Sequence, residues 1–300
     1  MPRNGLIDPR IGFIGIGLMG LPLCRRLLDA DFALTVWNRH PDKCEPLLML
    51  GAQQAASPAT LVEGVDIIFL CVSDAAAVEQ IVCGRDGLLT ALQPGQIIID
   101  LSSIDPAVTR QLAGLVQEKD AHWIDAPVSG GVMGAESGTL VIMAGGDADI
   151  IDRARPVLGA LSQRVTHMGP SGAGQVTKIC NQLIVAANAV LIAEAVALAE
   201  KAGVDAAKLA PALAGGFADS KPFQLLAPRM SARTFTPVQW RVQTLLKDLD
   251  MATALAQHCQ SATPLAQAAA GLMREHAEQG HMSDDLSSLI TLFAGEKPSC

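Results

Sequence analysis

A lysine and two amides stand at helical spacing in the second half of the chain, at Lys178, Asn181 and Gln182. The glycine-rich loop Gly169–Gly174 precedes them, and no proline or glycine follows until Gly203, which predicts one long, mostly apolar helix. Residues at i, i+3 and i+4 share one face of a helix, so the three polar groups would lie together. A helix this apolar must be buried on most sides. The polar face therefore either caps neighbouring structure or faces a ligand.

A second candidate site is the glycine-rich stretch GIGLMG between Ile14 and Leu21. An apolar run precedes it and a helical pattern follows, which gives the order strand, G-x-G-x-x-G, helix. In that order the glycines allow a tight turn and close backbone approach, and the helix N-terminus receives a pyrophosphate. The motif alone is weak, but its context predicts a dinucleotide-binding site. The residues are Gly15, Gly17, Leu18, Met19 and Gly20.

The end of the second apolar run indicates which dinucleotide is bound. Trp37 is followed by Asn38 and Arg39, where an NAD site would place an acidic residue to hold the ribose 2′-hydroxyl. A guanidinium grips a 2′-phosphate, whereas a carboxylate would repel it. We therefore predict that this segment favours NADP(H), with NAD(H) as the alternative. The competing interpretation of Arg39 is a solvated loop residue.

Two further apolar runs end in polar residues that would border the nicotinamide. Val72-Ser73 closes one run and Ser103 lies just beyond the other. Their hydroxyls and amides would bond the ribose or carboxamide, or would cap the helices that begin nearby.

The segment Ser129-Gly130-Gly131 presents consecutive backbone N–H groups that no side chain obstructs. Such a nest, together with a serine hydroxyl, suits a small carboxylate. A glycine-rich turn into a helix would have a similar sequence.

The elements that position these residues fall into two regions. The first predicts an α/β fold, a Rossmann-type doubly wound parallel sheet over residues 8–170, because apolar runs alternate with helical patterns. The predicted strands are Ile11–Ile14, Leu34–Trp37, Asp66–Val72, Ile97–Leu101, His122–Asp125, Gly138–Gly145 and Arg164–Met168.

The second region, residues 171–300, shows helical patterns only, and we predict an all-α domain with residues 171–202 as an interdomain helix. Lys247 lies within a predicted helix at Trp240–His258, where a lysine is more often a solvated face residue. The helices are interrupted at Gly215-Gly216, Pro222, Pro228, Pro237, Pro264 and Gly280.

Composition argues against several classes of protein. The 300 residues carry a net charge of −8 without a basic run, which argues against a nucleic-acid partner. Seven cysteines without a CxxC pair and six histidines without HxH or HExxH support neither a disulfide framework nor a metal site. The lack of tyrosine excludes a Tyr-x-x-x-Lys dehydrogenase mechanism. Without a signal core or an uninterrupted 18-residue apolar run, we expect a soluble cytoplasmic protein with no membrane partner.

Four motifs together resemble those of the β-hydroxyacid dehydrogenase family. They are GxGxMGxP at Gly15–Pro22, DAPVSGGxxGAxxGTL at Asp125–Leu140, GxGxxxKxxNQ at Gly172–Gln182 and KD at Lys247-Asp248. They occur in the family's order and span nearly the whole chain. The family includes 3-hydroxyisobutyrate dehydrogenase, tartronate semialdehyde (2-hydroxy-3-oxopropionate) reductase and the glyoxylate/succinic semialdehyde reductases.

The resemblance implies a Rossmann-type domain joined by a long helix to an all-α domain, with the active site in the cleft between them. Lys178 would be the catalytic lysine, whose ammonium polarises the substrate carbonyl and gives up a proton. It also implies a homodimer or homotetramer formed through the long helix and the helical domain. The other roles it implies are substrate binding by Ser129, Gly130, Gly131, Asn181 and Gln182, and contact with the nicotinamide region by Ser103 and Lys247.

Two details of the resemblance suggest the substrate and the cofactor. The pair Asn181-Gln182 is similar to the tartronate semialdehyde reductases, whereas 3-hydroxyisobutyrate dehydrogenases usually have Asn-Asn, and Trp37–Arg39 is similar to NADPH-dependent semialdehyde reductases. We therefore predict a reductase of a small carboxylate semialdehyde, tartronate semialdehyde first. The alternatives are 3-hydroxyisobutyrate dehydrogenase and a succinic semialdehyde or glyoxylate reductase. More remote are an imine reductase, which usually lacks this lysine, and a non-catalytic nucleotide-binding module.

Overall fold

The computed structural model describes residues 9–294, and the chain divides into two compact units, Met1–Lys178 and Ile179–Cys300. The division falls inside the long helix, so the first turns of that helix belong with the first unit. Each unit encloses its own hydrophobic core.

The described part of the first unit is built on one nine-stranded sheet. Its strands are β1 (Ile11–Ile14), β2 (Leu34–Trp37), β3 (Gln53–Gln54), β4 (Ile67–Leu70), β5 (Ile97–Asp100), β6 (His122–Asp125), β7 (Val128–Ser129), β8 (Leu140–Gly145) and β9 (Ser162–Gly169). Six strands lie in the order β3-β2-β1-β4-β5-β6, and every neighbouring pair is parallel. The strand order reverses at β1, which creates the switch point where such sheets bind ligands.

Helices cover both faces of this sheet. They are α1 (Gly20–Asp29), α2 (Glu45–Leu48), α3 (Pro58–Val62), α4 (Ala75–Cys83), α5 (Pro106–Gln117), α6 (Gly131–Ser137) and α7 (Ala148–Leu161), with 3₁₀ turns at Pro41–Cys44 and Leu88–Thr90. Leu23 and Leu158 belong to one core cluster, and Val78 and Leu112 belong to the other. Because both faces are covered, β1, β4 and β5 are buried along their whole length, as their apolar sequences require.

Beyond β6 the sheet continues with β8 and β9, which lie at the predicted strands Gly138–Gly145 and Arg164–Met168, and with the short β7, which was not predicted. β8 pairs antiparallel with β6 and β7, and β9 pairs parallel with β8. The glycine-rich segment forms β7 and then α6, with Gly130 (φ 134°) between them and Gly131 (φ 63°) as the first residue of α6. The Rossmann-type doubly wound sheet is confirmed, but its last strands make it mixed rather than wholly parallel.

The predicted long helix is α8 (Ala173–Lys201), and it begins inside the glycine-rich loop rather than after it. Gly174 was expected to lie in irregular structure but stands in the first turn. Its helix packs so closely on the sheet that an added Cβ would lie 2.6 Å from the carbonyl oxygen of Asp125. The glycine is therefore required by close packing and not by a turn.

One stripe of α8 is exposed, which corrects the expectation that this helix is buried on most sides. Ile184, Leu191 and Leu198 are 60%, 61% and 70% exposed and recur every seven residues. Most of the surface of these three side chains is therefore not buried within this chain. Within residues 9–294, α8 is also the one helix with the length and mean hydropathy (2.0) of a membrane span, a property that core helices of soluble proteins share.

The second unit contains helices, and within residues 179–294 its β-structure is limited to an isolated bridge between Arg241 and Asp285. Pro228, predicted to break a helix, lies inside α10, whereas Pro222 and Pro264 occupy first-turn positions that need no N–H donor. The helices after α8 are α9 (Leu209–Leu213), α10 (Lys221–Ala232), α11 (Val242–His258), α12 (Pro264–His276) and α13 (Thr291–Ala294), with 3₁₀ turns at Ala206–Lys208 and Leu286–Ile290 and a π turn at Ala277–His281.

Candidate functional site

Backbone hydrogen bonds join the loops that follow the central strands into one continuous edge. The N–H of Gly15 donates to the Trp37 carbonyl at 3.1 Å, and the N–H of Cys71 donates to the Ile14 carbonyl at 2.9 Å. The N–H of Leu101 continues the series to the Leu70 carbonyl at 2.8 Å. The loops after β2, β1, β4 and β5 therefore stand side by side at the carboxyl edge of the sheet.

The three motif glycines of the first loop serve different purposes. Gly15 has φ of 103°, and a Cβ there would overlap the Cys71 carbonyl. A Cβ on Gly20 would overlap the Gly15 carbonyl, whereas a Cβ on Gly17 would meet no protein atom within 4 Å. Gly15 and Gly20 are thus needed by the fold, and Gly17 leaves open space for a ligand to approach the backbone. That combination suits the pyrophosphate of a dinucleotide.

The N-terminus of α1 is left without a side-chain cap. Met19 occupies the N-cap position, its side chain makes no capping hydrogen bond, and the first turn has no acidic residue. Leu18 beside it is 84% exposed. The first N–H groups of a helix are natural donors to an anion, and here no carboxylate competes for them.

Asn38 braces the glycine loop from the end of β2. Its Oδ1 accepts the N–H of Ile16 at 2.9 Å, and its Nδ2 donates to the His40 carbonyl at 2.9 Å. The Arg39 side chain is exposed. A cavity of about 300 Å³ opens beside Asn38, and the residues that line it include no carboxylate: Trp37, Asn38, Pro41, Gln54, Ala55 and Ala56.

Ser102, which the sequence analysis did not select, connects the ends of β4 and β5. Its Oγ accepts the N–H of Val72 at 3.0 Å, and its own N–H donates to Asp100 Oδ1 at 2.9 Å. The predicted Ser103 is partly exposed beside it. The hydroxyl of Ser73 instead donates to Asp74 at 2.5 Å, and Asp74 caps α4 through the Ala77 N–H at 2.9 Å.

Two buried ionisable groups lie under this edge, and the sequence analysis assigned neither a role. Burial raises the pKa of Asp100 to about 7, and Asp100 Oδ2 has no hydrogen-bond partner in the described residues. Burial, followed by the nearby Asp100 charge, raises the pKa of Cys71 to about 12. The signal for Asp100 was a carboxylate at the end of the otherwise apolar run Ile97–Asp100.

The candidate carboxylate nest lies in the turn between β7 and α6. Ser129 ends β7 half-buried, and Gly130 and Gly131 are exposed. A Cβ on Gly131 would meet nothing within 4 Å, so the backbone of this turn is accessible. The segment is both a turn into a helix and an open, N–H-rich surface.

Lys178 lies in the last turn of the first unit, partly buried, and its helix is anchored just before it. The Asp125 carboxylate accepts the N–H groups of Gly172 at 2.7 Å and Gln175 at 3.0 Å, so it caps α8. Burial raises the pKa of Asp125, and those backbone hydrogen bonds oppose the rise. Asp125 was present in the sequence motif, but it had been given no role.

The remaining predicted residues lie in the second unit, where Asn181, Gln182 and Lys247 meet around Asp248. Asn181 Nδ2 donates to Gln182 Oε1 at 2.8 Å, and Gln182 Nε2 donates to Asp248 Oδ2 at 2.5 Å. Lys247 Nζ lies 3.5 Å from Asp248 Oδ1. Gln182 is only 3% exposed, so its carboxamide is held in a fixed orientation.

Comparison with known families assigns both parts of the chain. Residues 10–169 match the family described as the NAD binding domain of 6-phosphogluconate dehydrogenase. Residues 172–293 match the family described as NAD-binding of NADP-dependent 3-hydroxyisobutyrate dehydrogenase. Together the two matches span almost all of the described residues.

Individual relatives match over their full length. The chain is 37% identical to the 2-hydroxy-3-oxopropionate reductase of Escherichia coli (strain K12), over 94% of this chain and 96% of that protein. It is 33% identical to the NAD-dependent L-serine dehydrogenase of Pseudomonas aeruginosa, over 95% and 97%. The crystal structure of 3-hydroxyisobutyrate dehydrogenase from Salmonella typhimurium superimposes with a TM-score of 0.85 at 29% identity, covering 95% of this chain and all of that one.

Proposed function

The chain belongs to the β-hydroxyacid dehydrogenase family of NAD(P)-dependent oxidoreductases that act on CH–OH groups, and within it we propose a semialdehyde reductase. The substrate we propose is a small carboxylate semialdehyde, with tartronate semialdehyde (2-hydroxy-3-oxopropionate) as the first candidate. The observation that carries this choice is the full-length, 37% identity to a 2-hydroxy-3-oxopropionate reductase. The pair Asn181-Gln182 agrees with it.

A second candidate is the oxidation of 3-hydroxyisobutyrate. The family match over residues 172–293 and the likeness to the Salmonella typhimurium structure favour it. In both candidate substrates, one carbon bears the carboxylate and also the reacting CH–OH or aldehyde group. One site architecture can therefore serve either substrate.

We propose that NADP(H) is the preferred nicotinamide cofactor. The residues after β2 supply an exposed guanidinium, Arg39, and the cavity that the preceding residues Trp37 and Asn38 line contains no carboxylate. The first would attract a 2′-phosphate, and the second would not repel it. The pyrophosphate would lie against Gly15–Gly20 and the uncapped N-terminus of α1.

Lys178 is the proposed general acid. When bound, the nicotinamide supplies the hydride. The Lys178 ammonium would donate a hydrogen bond to the substrate carbonyl oxygen and then a proton as negative charge develops on it. In the reverse direction the neutral amine would accept the hydroxyl proton. The chain has no tyrosine to take this role.

The other assignments follow from placement and accessibility. The open turn Ser129–Gly131 would bind the substrate carboxylate through its N–H groups and the serine hydroxyl. Asn181 would contact the rest of the substrate, and Gln182, whose carboxamide is bonded to Asn181 and Asp248, would join it in substrate binding by orienting the Asn181 amide. Val72, Ser73, Ser103 and Lys247 are the proposed contacts to the nicotinamide end of the cofactor.

We also propose a homo-oligomer in the cytoplasm. The exposed apolar stripe of α8 supports self-association, because water contact with three large side chains is unfavourable. The six cysteines within residues 9–294 are free thiols, as a reducing compartment allows.

The proposed function is tested by initial rates with NADPH and with NADH on tartronate, methylmalonate and succinic semialdehydes and glyoxylate. We expect the highest kcat/KM for tartronate semialdehyde with NADPH. L-serine and 3-hydroxyisobutyrate are assayed in the oxidative direction. An identical purification from host cells that do not express the chain controls for contaminating host reductases.

A higher kcat/KM for methylmalonate semialdehyde would contradict the first candidate and support the second. No turnover with any of these substrates would contradict both.

A further inference from the structure

The first turn of α8 is tied to the sheet through the side chains of two buried residues. Asp125 accepts the N–H groups of Gly172 and Gln175, as described above. Gln175 itself reaches the loop after β5, where its Nε2 donates to the Ser102 carbonyl at 2.8 Å and its Oε1 accepts the Ile104 N–H at 3.2 Å. The helix start is thus fixed from the ends of both β5 and β6.

The Gln175 carboxamide has only one orientation that satisfies these bonds. Both of its partners are backbone groups, a carbonyl that can only accept and an N–H that can only donate. Gln175 is 1% exposed and Asp125 is fully buried, so water cannot replace a lost partner. Leaving such groups unpaired costs about 1–3 kcal/mol each, which makes the arrangement stiff.

The packing around Asp125 leaves no room for the helix start to shift. An added Cβ on Gly145 would lie 2.6 Å from Asp125 Oδ1, and one on Gly174 would lie 2.8 Å from Asp125 Oδ2. Helix, carboxylate and β8 are therefore in direct contact at this point.

Ser102 links this tie to the proposed cofactor edge. The carbonyl of Ser102 accepts a hydrogen bond from Gln175 Nε2, and its Oγ accepts one from the Val72 N–H at 3.0 Å. Lys178 follows Gln175 by three residues and therefore lies about one turn further along the same helix. One buried amide thus connects the strand ends that would border the nicotinamide with the helical turn that carries the lysine.

We propose that Gln175 is a positioning residue, which holds the start of α8 on the strand ends and thereby sets where the Lys178 ammonium stands relative to the cofactor edge. This inference depends on the proposed role of Lys178. A general acid must be placed to within a fraction of an ångström, and a displacement of about 1 Å costs on the order of a hundredfold in rate.

A second buried glutamine offers a matched control. Gln96 is 8% exposed, its Nε2 donates to the Val62 and Val65 carbonyls at 3.0 and 2.7 Å, and its Oε1 accepts the Gln93 N–H at 2.7 Å. It ties loop to loop with the same chemistry but belongs to no proposed site. Gln96→Met and Gln175→Met therefore remove comparable bonds with a side chain of similar length.

The test is a double-mutant cycle between Gln175→Met and Lys178→Ala, with Gln96→Met as control. We expect Gln175→Met to lower kcat by about 10–100-fold, to leave the Kd for NADPH within about threefold, and to have no further effect on kcat when Lys178 is already alanine. Gln96→Met should lower thermal stability to a similar extent with kcat within about twofold of the parent.

Equal kcat losses in both backgrounds, or an unchanged kcat in Gln175→Met, would overturn the inference. A Lys178→Ala enzyme with normal turnover would instead overturn the proposed role of Lys178 as general acid, which the single variant shows separately. If Gln175→Met does not fold, Gln175→Glu is a second variant that tests the same inference. Its buried carboxyl donates to the Ser102 carbonyl only when protonated, so kcat relative to the parent should rise as pH falls. A flat ratio would overturn the inference.

Discussion

Asn38 and Arg39 are adjacent at the end of β2, but the Asn38 side chain is hydrogen-bonded within the protein, whereas the Arg39 side chain is exposed. Both ends of the Asn38 amide are bonded within the protein, to Ile16 and His40. The Arg39 side chain is exposed, and the cavity that Asn38 lines contains no carboxylate. Asn38 therefore supports the glycine loop, and the recognition of a 2′-phosphate by Arg39 remains a proposal.

Arg39→Ala should weaken the proposed preference for NADPH over NADH. A charge-assisted contact to phosphate contributes about 1.5–3 kcal/mol, so the KM for NADPH should rise about 10–100-fold while the KM for NADH changes little. Steady-state kinetics with both cofactors measure this. Arg164→Ala removes the same charge from an exposed position on β9 and should change neither KM. An equal rise in both KM values would show that Arg39 does not contact the 2′-phosphate.

At the scale of elements, two glycines that lie inside helices differ in the space around them. Substituting each by alanine distinguishes the effect of tight packing on stability from the effect of helix propensity. Gly174 and Gly159 both stand inside helices, where alanine is intrinsically favoured by about 1 kcal/mol. A Cβ at Gly159 would meet nothing within 4 Å, whereas a Cβ at Gly174 would lie 2.6 Å from the Asp125 carbonyl oxygen and 2.8 Å from its carboxylate. The neighbours at Gly174 are backbone and a buried charge, and neither can move aside.

Gly159→Ala should therefore stabilise the protein by about 0.5–1 kcal/mol, and Gly174→Ala should destabilise it by about 1–3 kcal/mol despite the better propensity. Denaturant unfolding of the two variants measures both shifts in the free energy of unfolding. Stabilisation by Gly174→Ala would mean that the start of α8 is not packed as tightly as described.

At the scale of the whole molecule, the exposed stripe of α8 is the feature that the single chain leaves unexplained. Ile184, Leu191 and Leu198 are large, apolar and aligned. The simplest partner for a stripe on the long helix is a second copy of the same chain, because most soluble oligomers are symmetric homo-oligomers.

Leu191→Glu should dissociate the proposed oligomer by burying an unpaired charge in its interface. Light scattering coupled to size exclusion should give a dimer or tetramer for the parent and the mass of one chain for the variant. Met49→Glu adds the same charge at an 89% exposed position of the first unit and should leave the mass unchanged. A monomeric parent, or an oligomer that survives Leu191→Glu, would contradict this assignment of the stripe.

The sequence by itself determined the features that depend on local sterics and periodicity. Strand positions followed from apolar runs, the helix around Lys178 followed from the absence of breakers, and the glycine loop followed from its spacing. Motifs in a fixed order also identified the family, which the comparisons confirmed. The roles assigned to Lys178, Arg39 and the other site residues stay predictions.

Only the tertiary structure decided which polar groups are already bound within the protein. Asn38 and Ile16 are 22 residues apart, Gln182 and Asp248 are 66 apart, and Gln175 and Ser102 are 73 apart. The same holds for the antiparallel pairing of β8 with β6 and β7 and for the exposed stripe of α8. Sequence periodicity records which side of an element is apolar, but hydrogen bonds and burial between distant residues depend on the packing of elements in space.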